Sequence, residues 1–255
     1  MVLTDTHTHL YYETDAEKRK QMMDRCFQNG ISRLFLPNVN TASVPLMRQL
    51  MDEYPGNCFP MLGLHPCEVG EDYEEELRLI QEAGSEMDIC AVGEIGIDLY
   101  WDKSTLAIQQ QAFRMQIDWA KALNLPIVIH CREAFDEVCS ILVEKKDERL
   151  RGIFHCFTGT LEQAEKVMDL GFYIGIGGVV TFKNSGLDKV VAELFLENIV
   201  LETDSPYLAP VPFRGKPNES SFLKYTAEKV AGIKKVTLEE LAEITTKNSK
   251  SIFGI

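Results

Sequence analysis

The chain has 255 residues, 45% of them hydrophobic, and 26 basic against 39 acidic side chains give a formal net charge of −13. That length suits a single domain spanning residues 1–255, able to bury roughly 70–75% of its unfolded surface without covalent staples. The charge excludes a protein that coats nucleic acid through a broad basic face. No apolar run approaches the ~20 residues of a membrane span and no basic leader precedes Val2, so a cytoplasmic protein without membrane contact is expected.

Strand-like runs are predicted, in chain order, at Val2–Asp5, Ser32–Pro37, Phe59–Leu64, Ile89–Glu94, Pro126–His130, Gly152–His155, Phe172–Gly177 and Ile199–Thr203. Their ends recur every 22–36 residues or about one β-loop-α unit. Between them lie helical patterns with readable ends. Asp15 to Asn29 stops at Gly30, Thr41 to Tyr54 stops at Pro55-Gly56, and Lys103 to Asn124 runs without Pro or Gly. Acidic residues from Glu71 to Glu76 read as the solvated start of another helix. Thr160-Leu-Glu-Gln163 and Thr237-Leu-Glu-Glu240 are capping boxes, and Gly171 can end the helix begun at Thr160. Eight alternating units predict an α/β chain folded as a (β/α)₈ TIM barrel, whose active site forms at the C-terminal ends of the strands.

All five histidines fall at such places: His7 and His9 after the first strand, His65 after the third, His130 and His155 at the fifth and sixth. Glu94 and Asp204 close the fourth and eighth. H-x-H on a strand would put both imidazoles on one face, because side chains alternate with period two. His7 and His9 could then grip one ion with Asp204 from the neighbouring last strand, and His130 and His155 could converge on a second. Glu94 lies between these groups in barrel order, and a carboxylate can bridge two cations about 3.5–4 Å apart. Glycines at 93 and 96 are read as leaving its surroundings open. Asp204 could serve as ligand or as general base; an N-cap before Ser205-Pro206 is the bland alternative. His65 could be a spectator, a phosphate donor or a proton shuttle. Arg132 and Arg214 could clamp phosphate, with Lys183 and Lys216 nearby, and Tyr100 and Trp101 could stack on a base. Seven scattered cysteines without C-x-x-C spacing read as reduced, buried thiols. Cys131 and Cys156, each next to a proposed ligand, are expected to turn away toward the helices.

The ordered runs D-T-H-T-H-L (5–10), G-L-H-P (63–66), G-E-I-G-I-D (93–98), I-H-C-R-E-A (129–134), H-C-F-T-G (155–159), G-V-V-T-F-K-N (178–184), E-T-D-S-P-Y-L-A-P (202–210) and R-G-K-x-N-E (214–219) resemble the TatD family of metal-dependent deoxyribonucleases within the amidohydrolase-like barrels. The resemblance covers essentially the whole chain. It implies two divalent ions (Mg²⁺, Mn²⁺ or Zn²⁺), one held by His7, His9, Glu94 and Asp204, the other by Glu94, His130 and His155. It further implies that Arg214 and Asn218 meet the substrate; beside it, the residues themselves lead to the expectation that Asp204 takes the proton of the attacking water, Arg132 and His65 hold the scissile phosphate, and Lys183 and Tyr100 meet the substrate. One position departs from the pattern: Ser220 follows Glu219 where family members commonly carry Pro.

The expected activity is hydrolysis of DNA phosphodiester bonds by a monomer, as a 3′–5′ exonuclease on single-stranded ends. The alternatives are a related esterase or deacylase acting on a lactone, a small phosphoester or D-aminoacyl-tRNA, and a noncatalytic nucleic-acid-binding barrel.

Overall fold

The computed structural model describes residues 1–255. Eight parallel strands follow one another around a barrel in chain order: β1 (Leu3–Asp5), β2 (Ile31–Pro37), β3 (Cys58–Leu62), β4 (Ala91–Asp98), β5 (Ile127–Arg132), β6 (Gly152–Phe154), β7 (Phe172–Ile176) and β8 (Ile199–Leu201). The helices are α1 (Ala16–Gln28), α2 (Val44–Glu53), α3 (Tyr73–Gly84), α4 (Leu106–Ala122), α5 (Phe135–Glu144), α6 (Leu161–Asp169), α7 (Leu187–Glu193), α8 (Leu223–Lys234) and α9 (Leu238–Phe253). All eight predicted strands are present, and no helix is long and apolar enough to cross a membrane.

Local chemistry sets the ends as anticipated. Asp15 caps α1 by accepting from Glu17 and Lys18 N–H, and Thr160 and Gln163 form a reciprocal capping box at α6. At α9 half of that device operates: Thr237 accepts from the Glu240 amide.

Two apolar layers hold the barrel. Between strands and helices lies the larger one, including Leu34, Leu62, Ile95, Phe113, Ile129 and Leu241, all fully buried; each such side chain contributes about 1.5–3 kcal/mol. Inside the barrel, Phe35, Met61, Ala91, Val128, Ile153 and Val200 fill the lower half. Phe253 of α9 plugs the bottom, stacking on Phe35 at 4.0 Å. The interior is therefore packed below and free for polar side chains only at the C-terminal mouth.

Beyond the strands proper, β1 and β8 are sewn together by Thr6 N–H to Leu201 O (3.0 Å), Asp204 N–H to His7 O (2.9 Å) and His9 N–H to Ser205 O (2.8 Å). The segments that carry His7, His9 and Asp204 are thus themselves the seam. This corrects the expectation that H-x-H sits on a strand. β1 ends at Asp5, and it is the seam pairing, not strand alternation, that aims both rings inward.

Candidate metal centre

Glu94 does not close its strand: β4 runs on to Asp98, and the β4–β5 register shifts between Gly93 and Ile95, leaving Glu94 as the extra residue of a bulge. Gly96 adopts φ +145°, and a methyl there would overlap the carbonyl oxygen of His130. The glycines around Glu94 admit the backbone of β5, which corrects the reading that they leave open space for ions.

The two oxygens of Glu94 face different histidines. Oε2 lies 3.1 Å from His7 Nε2 and 3.5 Å from His9 Nε2. Oε1 lies 2.8 Å from His130 Nδ1, 2.7 Å from His155 Nε2 and 3.3 Å from His65 Nε2. Asp204 Oδ1 completes the first side, 3.8 Å from His7 Nε2 and 3.7 Å from His9 Nε2. It sits at φ +56° in an irregular turn with no helix after it, so it is not an N-cap. All seven singled-out residues therefore meet at the mouth of the barrel.

Hydrogen bonds decide which ring nitrogen His9, His130 and His65 offer. Tyr11 Oη donates its proton to Pro37 O (2.6 Å) and so must accept from His9 Nδ1 (2.9 Å), which leaves the lone pair of His9 on Nε2, facing Glu94 and Asp204. His130 Nε2 donates to Asp98 Oδ2 (2.8 Å), leaving Nδ1 toward Glu94. His155 Nδ1 is 3.6 Å from buried Glu202, and its Nε2 faces Glu94. Carboxylates and carbonyls behind the imidazoles orient ligands in this way in metal sites. His65 is different. Its Nδ1 accepts the Cys67 amide at 3.1 Å, so its neutral ring carries the proton on Nε2 and points an N–H into the site. His65, Glu94 and His130 do bring their ligating atoms within 4.8 Å of one another, but the His65 tautomer suits a hydrogen-bond donor rather than a ligand.

Protonation follows crowding. His7 and His155 stack with ring centroids 3.8 Å apart, so they cannot both hold charge comfortably. Burial, with His155 adding, lowers the His7 pKa well below normal. For His155 burial also acts downward, but Glu94 and Glu202 outweigh it and raise its pKa well above normal. Burial lowers His65 as well. Burial opposes ionisation of Glu94, yet His155, His65 and His7 hold its pKa well below the usual range. Burial pushes Asp204 up to about 6 against the pull of His155 and His9.

Three supporting residues escaped the sequence reading: Asp98, Glu202 and Tyr11. Asp98 and Glu202 stand at even spacing from Glu94 and Asp204, and that same-face signal was available. Beneath them, fully buried Asp5 ties the ends of β1 and β8 together, accepting from Thr203 N (2.9 Å), Thr203 Oγ1 (2.6 Å) and His7 N (3.3 Å). Ser220, also fully buried, donates to Thr8 Oγ1 (2.9 Å), which in turn lies 2.7 Å from Ser205 Oγ. The hydroxyl at position 220 thus binds the loop after β8 to the His7–His9 segment.

Other expected roles are revised. Asn218 is 2% exposed, and its amide donates to Thr203 O and Tyr207 O, so it shapes the loop instead of reaching substrate. Tyr100 presents a face to the Arg132 guanidinium, 3.6 Å away, so that face is not free for a base, while Trp101 beside it is 73% exposed. Arg214 stacks at 3.9 Å on Phe182, and Lys183 is exposed in the loop after β7. Cys131 packs against the helical core as expected. Cys156 does not: it sits at φ +48°, and burial, with the charges of Asp204, Glu202 and Glu94 adding, raises its thiol pKa well above normal. Cys67 is exposed rather than buried.

Residues 4–254 match the family model described as TatD related DNase. The chain is 41% identical over 258 residues to the uncharacterized metal-dependent hydrolase YabD of Bacillus subtilis, covering all of both chains. It is 28% identical over 246 residues to the 3′-5′ ssDNA/RNA exonuclease TatD of Pantoea ananatis, covering 94% of this chain and 95% of that one. The crystal structure of the TatD homolog YjjV from Escherichia coli superposes with a TM-score of 0.92 at 28% identity, over 99% of this chain and 98% of the other.

Proposed function

Since this chain belongs to the TatD related DNase family, we propose that it is a metal-dependent hydrolase of phosphodiester bonds, removing nucleotides 3′–5′ from single-stranded DNA ends. The observation that carries the reading is the division of Glu94, with one oxygen toward His7 and His9 and the other toward His130 and His155. This donor set suits divalent ions. It supplies imidazole lone pairs whose tautomers Tyr11 and Asp98 fix, together with carboxylate oxygens and no thiolate. His7, His9, Glu94 and Asp204 would hold one ion, and Glu94, His130 and His155 the other.

Bound there, Mg²⁺, Mn²⁺ or Zn²⁺ would polarise the phosphoryl oxygens and acidify water. The protein's own part is positional and protolytic. Asp204, with Oδ1 facing His7 and His9 across the mouth, is placed to accept a proton from attacking water. His65 Nε2–H, fixed as a donor by Cys67, is placed to hydrogen-bond an oxygen of the scissile phosphate as charge grows on it. Arg132, at the end of β5, adds charge from the rim.

Metal content after dialysis tests the reading. Two equivalents per chain in the native protein, and none in Glu94→Ala with an unchanged circular dichroism spectrum, are expected; a Glu94→Ala protein that keeps both ions would refute it.

A further inference from the structure

The two groups of ligands are held in place by different means. Glu94 and His130 stand on β4 and β5, whose pairing runs from Val92 to Asp98, and the His155 amide donates to Ile129 O of β5 (3.1 Å). Strand pairing therefore sets the position of that group. His7, His9 and Asp204 instead lie beyond the last residues of β1 and β8. Past the end of a ladder, a segment is fixed by whatever other bonds reach it.

Thr8, between the two histidines, is reached from two directions. Its amide donates to Phe35 O on β2 (3.0 Å). On its side chain, Oγ1 accepts from Ser220 Oγ at 2.9 Å and lies 2.7 Å from Oγ of Ser205, the neighbour of Asp204. Thr8 and Ser220 are fully buried, and Ser205 nearly so. The hydroxyl of Ser220 thus completes a buried chain that touches both segments carrying the first group of ligands.

Ser220 is itself fixed from outside the barrel. It opens the helical turn Ser220–Phe222, which runs into α8. Glu219, just before it, takes two hydrogen bonds from Arg25 of α1 (2.8 and 2.6 Å), and Asn218 holds Thr203 O and Tyr207 O (2.8 and 2.7 Å). Residues 218–220 therefore join α1, the loop after β8 and Thr8 in one rigid connection. The hydroxyl is particular to this chain's departure from the family pattern, since proline could not supply it.

We propose that Ser220 is a positioning residue for one ion of the pair. Its hydroxyl, acting through Thr8 and Ser205, sets the spacing of His7, His9 and Asp204 and so the affinity for the ion they hold. The ion of Glu94, His130 and His155 depends on the β4–β5 pairing and not on Ser220, so the two ions are unequal in what supports them. This rests on the two-ion reading of the same site.

The test is isothermal titration calorimetry of Mn²⁺ into the full-length protein after removal of metal with EDTA. The native protein should take up two equivalents. Ser220→Ala and Ser220→Pro both delete the hydroxyl, and proline suits the first position of a helical turn, so the second variant keeps the local backbone. Each should bind one equivalent with native affinity and the other about tenfold more weakly, the lower end of what loss of support behind a ligand costs. Ser249→Ala is the comparison, because Ser249 is equally buried but its hydroxyl donates to Thr246 O (2.8 Å) within α9; it should bind both ions as the native protein does, whatever stability it loses. Cleavage by Ser220→Ala, reduced at limiting Mn²⁺, should return to the native rate at saturating Mn²⁺. Two native affinities in both Ser220 variants, equal weakening of both equivalents, the same weakening in Ser249→Ala, or a rate that stays low at saturating Mn²⁺ would overturn the proposal. A native protein that binds fewer than two equivalents would remove the two-ion reading and this proposal with it. Selective weakening in a protein that cleaves no DNA would leave Ser220 in this role on an enzyme of different chemistry.

Discussion

Tyr11 Oη stands between His9 Nδ1 (2.9 Å) and Pro37 O (2.6 Å), and because it has one proton to give, to the carbonyl, it dictates where His9 keeps its own. Burial holds the Tyr11 pKa well above normal, so it remains a phenol. Tyr11→Phe removes that constraint and strands two buried polar groups. Loss of about 1–3 kcal/mol of stability is expected, with a 10–100-fold loss of metal affinity at the His7–His9 side. Metal titration of the variant checks this, and affinity equal to the native protein would refute it.

His65 is the converse case, a ring whose Nδ1 is spent on the Cys67 amide. His65→Ala should leave the metal content unchanged while lowering kcat on oligonucleotides by ~10²-fold, the scale of removing one donor to a developing oxyanion. A missing metal equivalent in that variant would make His65 a ligand instead.

Gly175 of β7 lies against Glu202, and a methyl at 175 would overlap the Glu202 carboxylate. Gly175→Ala should therefore displace the group that backs His155 Nδ1 and cost about 1–3 kcal/mol through overpacking. Thermal unfolding in EDTA should register the cost, and metal affinity should fall with it. A variant that melts normally and binds metal normally would show that Glu202 has room to move.

Burial raises Asp5 from 3.8 to about 7, against the hydrogen bonds from Thr203 and His7. The folded state then holds this proton more tightly than the unfolded chain. Its contribution to stability is whole below pH 4, declines as pH rises from about 4 to about 7, and is constant above that, a change on the order of 4 kcal/mol. Urea unfolding in EDTA should give a stability difference, native minus Asp5→Asn, that falls across this interval and is flat above it. Parallel curves would mean that Asp5 ionises normally.

What the sequence made legible was the inventory and its address. Apolar runs at regular spacing located all eight strands, and a closed barrel brings their C-terminal ends to one place whatever the side chains do. That sufficed to collect His7, His9, Glu94, His130, His155 and Asp204 at one mouth. What the sequence did not disclose depends on neighbours remote in the chain. The glycines beside Glu94 answer to the backbone of His130. The free nitrogen of His9 is decided by the carbonyl of Pro37. Asn218 looks polar and available in sequence, yet its amide is consumed by Thr203 and Tyr207. Period two along β4 places Asp98 on the Glu94 side, but the predicted run ends at Glu94, four residues before the strand itself ends at Asp98.

The central claim is that Glu94 joins two metal-binding groups into one phosphodiesterase centre. Its most direct test is incubation of an end-labelled single-stranded DNA oligonucleotide with the purified protein and Mg²⁺, Mn²⁺ or Zn²⁺, against EDTA and against Glu94→Ala. A ladder of products shortened from the 3′ end, present only with metal and native Glu94, is the predicted result. Intact DNA with metal bound, or equal cleavage by Glu94→Ala, would contradict it.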